Sequence, residues 1–141
     1  MNTIERDNTY VAHAYGRFPI SIVDGHGSIL VDENGKEYID FGSGIGVNIF
    51  GVNDEIWKMA VIDQIEKVQH TSNLYYTEPC TKLAELLCEK TGMKKVFFSN
   101  SGAEANECAI KAARRYAFQK YGDGHSTIIT LKNSFHGRTI T

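Results

Sequence analysis

The chain predicts an α/β fold in two parts: a small lobe of antiparallel strands, then the opening of a larger lobe that alternates strand and helix. Three observations predict it. Turn signals at Asp24-Gly25-His26-Gly27 and Glu33-Asn34-Gly35-Lys36 punctuate short apolar runs between Ile20 and Phe41. Three later segments carry apolar residues at helical spacing. Two short apolar runs, Lys95 to Ser99 and Thr127 to Leu131, flank the last of these. Strand, helix, strand in that order implies a right-handed parallel crossover.

Each element follows from local chemistry. Ile29, Leu30 and Val31 lie between the two turn signals, and Tyr38, Ile39 and Phe41 follow the second, which reads as a meander. The run Phe41-Gly42-Ser43-Gly44-Ile45-Gly46-Val47 resembles a dinucleotide-binding loop, but the required third glycine falls on Val47 or Ile49 in the two possible counts. It reads instead as a connector whose backbone comes close to something else. A helix over about Asp54 to Gln69 places Trp57, Ala60, Val61, Ile65 and Val68 on one side, with Asn53 as its cap. A second starts near Pro79, a residue suited to the first helical position. It buries Cys80, Leu83, Ala84, Leu87 and Cys88, and stops at Gly92. A third, about Gly102 to Lys120, turns the small face Ala109, Ile110, Ala113, Tyr116 and Ala117 toward a sheet. Residues 1–68 belong to the first lobe and 69–141 to the second.

The 141 residues suffice for a hydrophobic core, and 42% hydrophobic with 23% charged residues is an ordinary globular composition. A formal net charge of -2 gives no reason to expect nucleic acid or an anionic membrane as partner. Lys111, Arg114, Arg115 and Lys120 sit on the later turns of the last helix, where cations complement its dipole, so they do not read as a binding patch. No apolar run approaches a membrane span, and Met1 to Asp7 lacks the apolar centre of a signal peptide, so the expected location is the cytoplasm. Cys80, Cys88 and Cys108 are an odd set without close pairing in sequence. They read as free thiols, and no metal site is expected.

The chemistry concentrates at two places. The strand Val96-Phe97-Phe98 runs into Ser99-Asn100-Ser101-Gly102-Ala103-Glu104, where a helix opens. Backbone N–H groups and the positive end of the helix dipole converge there, which suits a phosphate. Ser101 and Glu104 also fit a capping box, and capping alone would explain them. Gly102 and Ala103 tilt the reading toward a ligand, because they keep the backbone approachable at the end of a parallel strand. Glu104 is expected to fold back onto the cap. The second place is Ser134-Phe135-His136-Gly137-Arg138-Thr139. Phe135 offers a ring for stacking, with a core phenylalanine as the alternative, and Arg138 offers a fork for a carboxylate, with a surface arginine as the alternative. His136 reads as a hydrogen-bonding turn residue rather than a base. Together the two places suggest a phosphorylated aromatic cofactor and an amino-acid substrate.

These segments, with Tyr38-Ile39-Asp40-Phe41, Gly44-Ile45-Gly46-Val47 and His70-Thr71-Ser72-Asn73-Leu74-Tyr75-Tyr76, resemble class III pyridoxal-phosphate-dependent aminotransferases over nearly the whole chain. Within the class they are most similar to the enzymes that act on N-acetylornithine. The resemblance implies the N-terminal part of the fold-type I fold, a small-domain segment over 1–68 and the start of the large cofactor-binding domain over 69–141. It implies that Ser101, Gly102 and Ala103 hold the phosphate of pyridoxal 5′-phosphate, that Phe135 stacks on its ring, and that Arg138 binds the substrate carboxylate. Tyr38, Ser72, Asn73 and Tyr75 look like residues at the edge of the active site or at a dimer contact.

The implied reaction moves the δ-amino group of N-acetylornithine to 2-oxoglutarate, in arginine biosynthesis, in a homodimer with active sites at the subunit interface. Ornithine, succinylornithine and 4-aminobutyrate aminotransferases are near alternatives, and a non-catalytic module without cofactor is a more distant one. Members of the class are longer. Their Schiff-base lysine and the acidic partner of the pyridine nitrogen match no position here, so no catalytic residue is nominated. Lys58, Lys67 and Lys82 read as solvated helix faces. The 141-residue chain by itself is expected to be inactive and weakly stable, with a raw sheet edge.

Overall fold

The computed structural model describes residues 1–139 and divides after Ser72 into two compact units. The first opens with a helix that the sequence reading did not anticipate, α1 (Thr3–Tyr10). Its signal is Asn2 three residues before Glu5. Asn2 Oδ1 accepts from the Glu5 N–H at 2.9 Å, and the Glu5 carboxylate accepts from the Asn2 N–H at 2.8 Å.

The meander is present as an antiparallel sheet of order β1-β2-β3, with β1 (Ile22–His26), β2 (Ile29–Asp32) and β3 (Glu37–Ile39). His26 pairs with Ile29, so the first turn is Gly27-Ser28 rather than Asp24 to Gly27. The strand continues through Asp24 and Gly25 because the ladder to Val31 and Leu30 outweighs their turn preference. The second turn falls where expected and is tied by one side chain. The Asp32 carboxylate accepts from the N–H groups of Asn34 (2.9 Å) and Lys36 (3.0 Å) and from the Tyr38 hydroxyl (2.9 Å).

The glycine-rich connector forms one short turn, α2 (Ser43–Gly46), in which Ser43, Gly44, Ile45 and Gly46 all take positive φ. A side chain at Gly44 or Gly46 would meet nothing within 4 Å, so left-handed backbone accounts for these glycines and close approach does not. After it, α3 (Glu55–Ile65) is capped by Asp54, whose Oδ1 accepts from the Trp57 N–H at 2.8 Å. Asn53, the expected cap, instead turns the chain at φ +59°. The helix stops at Ile65, short of Gln69.

The second unit contains α4 (Glu78–Thr91) and α5 (Gly102–Tyr121). α4 starts with Pro79 in its first turn and ends at Gly92, in the left-handed conformation at φ +73°, as the sequence predicts. The expected strands over 95–99 and 127–131 do not form a ladder. Both are irregular, and Phe97, Ile129 and Leu131 are exposed. A parallel strand exists only through its neighbours, and the described residues supply none at pairing distance. The parallel crossover inferred from their order is therefore absent among the described residues.

The expected core is absent as well. Ser21 and Asp32 are buried, but no hydrophobic side chain among the described residues is. Among the described residues of the second unit, α4 and α5 carry amphipathic faces that do not pack on each other, whereas the apolar residues of α3 are spread around the helix rather than gathered on one side. Among the described residues of the first unit, the elements in extensive contact are the strands of the sheet.

Candidate cofactor and substrate site

Helix α5 starts where a strong cap puts it. Ser101 is extended (φ -149°, ψ 162°), and its Oγ accepts from the Glu104 N–H at 3.2 Å. The Ser101 carbonyl already accepts from the Ala105 N–H. The N–H groups of Gly102 and Ala103 precede the first intrahelical bond and have no partner among the described residues. They sit at the positive end of a twenty-residue helix. A Cβ built on Gly102 would meet nothing within 4 Å, so a ligand can reach the backbone there.

Only half of the capping box forms. Glu104 does not fold back onto the cap; its side chain lines a separate groove with Phe97, Ser99, Asn100, Glu107 and Cys108. The outcome for an anion is similar, because Glu104 does not line the cleft beside Gly102 and Ala103. Glu107 is engaged by Lys111 at 3.1 Å and by the Thr139 hydroxyl at 2.8 Å.

That cleft has a volume of about 330 Å³ and is lined by Gly102, Ala103, Asn106, Phe135, Gly137 and Arg138. Four of the five residues singled out for cofactor and substrate therefore meet in one hollow, although 30 residues of chain separate the two loops. Ser101 does not line it. Its Oγ is committed as the helix cap, although a hydroxyl keeps a proton to donate. Phe135 is exposed, with the Arg138 guanidinium 5.7 Å from its ring centroid. His136 contributes its backbone, the carbonyl accepting from Asn106 Nδ2 at 3.2 Å. Gly137, at φ +107°, lies so close to Ala103 that an added Cβ would stand 2.5 Å from the Ala103 Cβ.

The donor set fits a phosphorylated planar cofactor. It has two free N–H groups, an approachable backbone at Gly102, one guanidinium, one ring and no lining carboxylate. Sequence reading missed Asn106 and Gly137. Asn106 lies one turn below Ala103 on the same helix face, and that spacing was its only signal. Of the remaining nominees, Tyr38 and Ser72 belong to the first unit, and Asn73 and Tyr75, in the second, do not line the cleft. Tyr38 spends its hydroxyl on Asp32, Ser72 takes φ +60°, and Tyr75 is exposed.

The family model for aminotransferase class III matches residues 10–141. The chain belongs to the class III aminotransferases. Curated relatives of this class III chain include acetylornithine aminotransferase of Haemophilus ducreyi, 55% identical over 96% of this chain and 34% of that protein. That of Wolinella succinogenes is 50% identical over 96% of this chain and 35% of its own length. The chain thus spans about a third of the length of the curated relatives it matches. Among solved structures, the adenosylmethionine-8-amino-7-oxononanoate aminotransferase of Methanocaldococcus jannaschii matches 96% of the chain and 33% of its own, with a TM-score of 0.89 at 32% identity. The fold is accordingly that of part of a class III aminotransferase, mixed α/β with a small antiparallel sheet. No helix among the described residues is long and apolar enough to cross a membrane.

Proposed function

We propose that the chain supplies the cofactor seat of an aminotransferase that moves the δ-amino group of N-acetylornithine to 2-oxoglutarate in arginine biosynthesis. Its cofactor is pyridoxal 5′-phosphate. The observation that carries this reading is the meeting of Gly102, Ala103, Phe135 and Arg138 in one cleft at the N-terminus of α5. When bound, the cofactor supplies an electron sink for the carbon that loses its proton. The residues of this chain bind and orient. The Gly102 and Ala103 N–H groups, with the Ser101 hydroxyl, hold the phosphate dianion. Phe135 covers one face of the ring and keeps water from it. Arg138 takes the substrate carboxylate through its planar fork, and so sets how the amine end enters.

In this reading residues 1–68 belong to the small domain and 69–141 begin the large one. Two copies pair with their active sites at the interface, where Tyr38, Ser72, Asn73 and Tyr75 lie at the edge. The free thiols Cys80, Cys88 and Cys108 suit the cytoplasm. A second reading keeps the seat and changes the amine donor. It is favoured by the high structural similarity to a class III enzyme that carries a different name.

The test is glutamate formation from 2-oxoglutarate by the protein as its host makes it. The donors compared are N-acetylornithine, N-succinylornithine, ornithine and 4-aminobutyrate. A preference for N-acetylornithine supports the first reading. Preference for another donor establishes the second, and no turnover with any donor refutes both.

A further inference from the structure

We propose that Asn106 is a positioning residue that fixes the distance between the phosphate seat and the ring seat. The proposal rests on the cofactor reading of the cleft and deepens it. Among the described residues, contacts that hold the loop 134–139 against α5 include the following. The Asn106 side chain donates to the His136 carbonyl, Gly137 packs on Ala103, and the Thr139 hydroxyl donates to the Glu107 carboxylate.

Their roles differ. The Thr139 hydroxyl is exposed and shares the Glu107 carboxylate with Lys111. The Gly137 contact sets only a closest approach. The Asn106 bond is partly buried and has a direction. It grips the backbone of the residue between Phe135 and Gly137, one helical turn below the free N–H groups of Gly102 and Ala103. Turning that carbonyl away would swing the Phe135 ring and the Arg138 guanidinium off the cleft and leave the helix N-terminus as it is. Asn106 therefore acts on the ring seat through the His136 carbonyl and leaves phosphate capture to the backbone.

Asn106→Leu tests this, since it keeps the side chain's size, removes the donor and brings no charge into the cleft. Pyridoxine 5′-phosphate is the probe, because it lacks the aldehyde that would react with lysines; inorganic phosphate is the control. Substitution should weaken pyridoxine 5′-phosphate about tenfold, the scale of one partly buried hydrogen bond and the group it strands. Inorganic phosphate affinity should hold, and the nuclear Overhauser contact between the Gly137 Hα and the Ala103 methyl should vanish in the ligand-free protein.

Retention of that contact, or equal losses for both ligands, would overturn the proposal, because either result makes Asn106 an ordinary helix residue. Should Asn106→Leu lose helicity by circular dichroism, Asn106→Ser, too short to reach the carbonyl, is read by the same three criteria. Failure of the unsubstituted protein to bind pyridoxine 5′-phosphate would sink the cofactor reading alone. The proton contact in the ligand-free variant would then still decide the role of Asn106.

Discussion

A methyl group at position 137 would stand 2.5 Å from the Ala103 Cβ, on a backbone at φ +107° that side chains resist. Both effects act against Gly137→Ala, and the strained backbone alone costs about 1–3 kcal/mol. The loop must shift away from Ala103 to admit the methyl group, so the substitution should lower pyridoxine 5′-phosphate affinity by about tenfold. Helix content should stay constant. Calorimetric titration with circular dichroism checks it, and unchanged affinity would mean that the contact does not shape the cleft.

Asp32 gives a second residue-scale prediction. The Lys36 N–H, with the Tyr38 hydroxyl and Asn34 N–H, holds its carboxyl below the usual carboxylate range. A depressed value favours the folded state above the unfolded-state value near 4. The contribution fades as pH falls through the lower folded-state value. Asp32→Asn should remove this acid dependence from the β2–β3 turn. Amide shifts of Asn34 and Lys36 followed against pH will show it, and an unaltered profile would contradict the assignment.

At the scale of elements, the caps decide where the chemistry falls. Ser101→Ala removes the bond to the Glu104 N–H and should cost about 1 kcal/mol, seen as faster hydrogen exchange in the first turn of α5. Exchange confined to other turns would argue against the cap. These signals were readable in advance because they are local. Ser101, Pro79 and Gly92 announce their helix ends through the preferences of one residue and its neighbours. The strands over 95–99 and 127–131 were not readable in the same way. Their apolar runs express a demand for burial, while a ladder depends on partners that a local pattern does not name. The site divides likewise. The cradle and Arg138 announced their chemistry by residue type, whereas Asn106 and Gly137 matter through contacts across 30 residues of chain.

For the whole chain, surface area gives the measure. A folded monomer of this mass exposes about 7,300 Å², and two separate domains of half the mass about 8,800 Å² together. This chain exposes 12655 Å², with Phe41, Ile45, Tyr76 and Ile129 nearly bare. Exposed apolar area on this scale drives association. The 141-residue polypeptide should bind a hydrophobic dye and sediment as larger species at higher concentration. A monomer without dye binding at all concentrations would contradict the exposed stripes. Composition could not foretell this exposure, because 42% hydrophobic residues set what is available for burial without saying what covers it.

The central claim is that the N-terminus of α5 seats a phosphate whose attached ring lies against Phe135. The most direct measurement is a nitrogen-15 amide titration of the protein as its host makes it with pyridoxine 5′-phosphate and, separately, with pyridoxine. Saturable shifts are expected at Gly102 and Ala103, with smaller ones at Phe135 and Arg138, only for the phosphorylated compound. Equal responses to both compounds, or shifts that leave Gly102 and Ala103 unmoved, would contradict it.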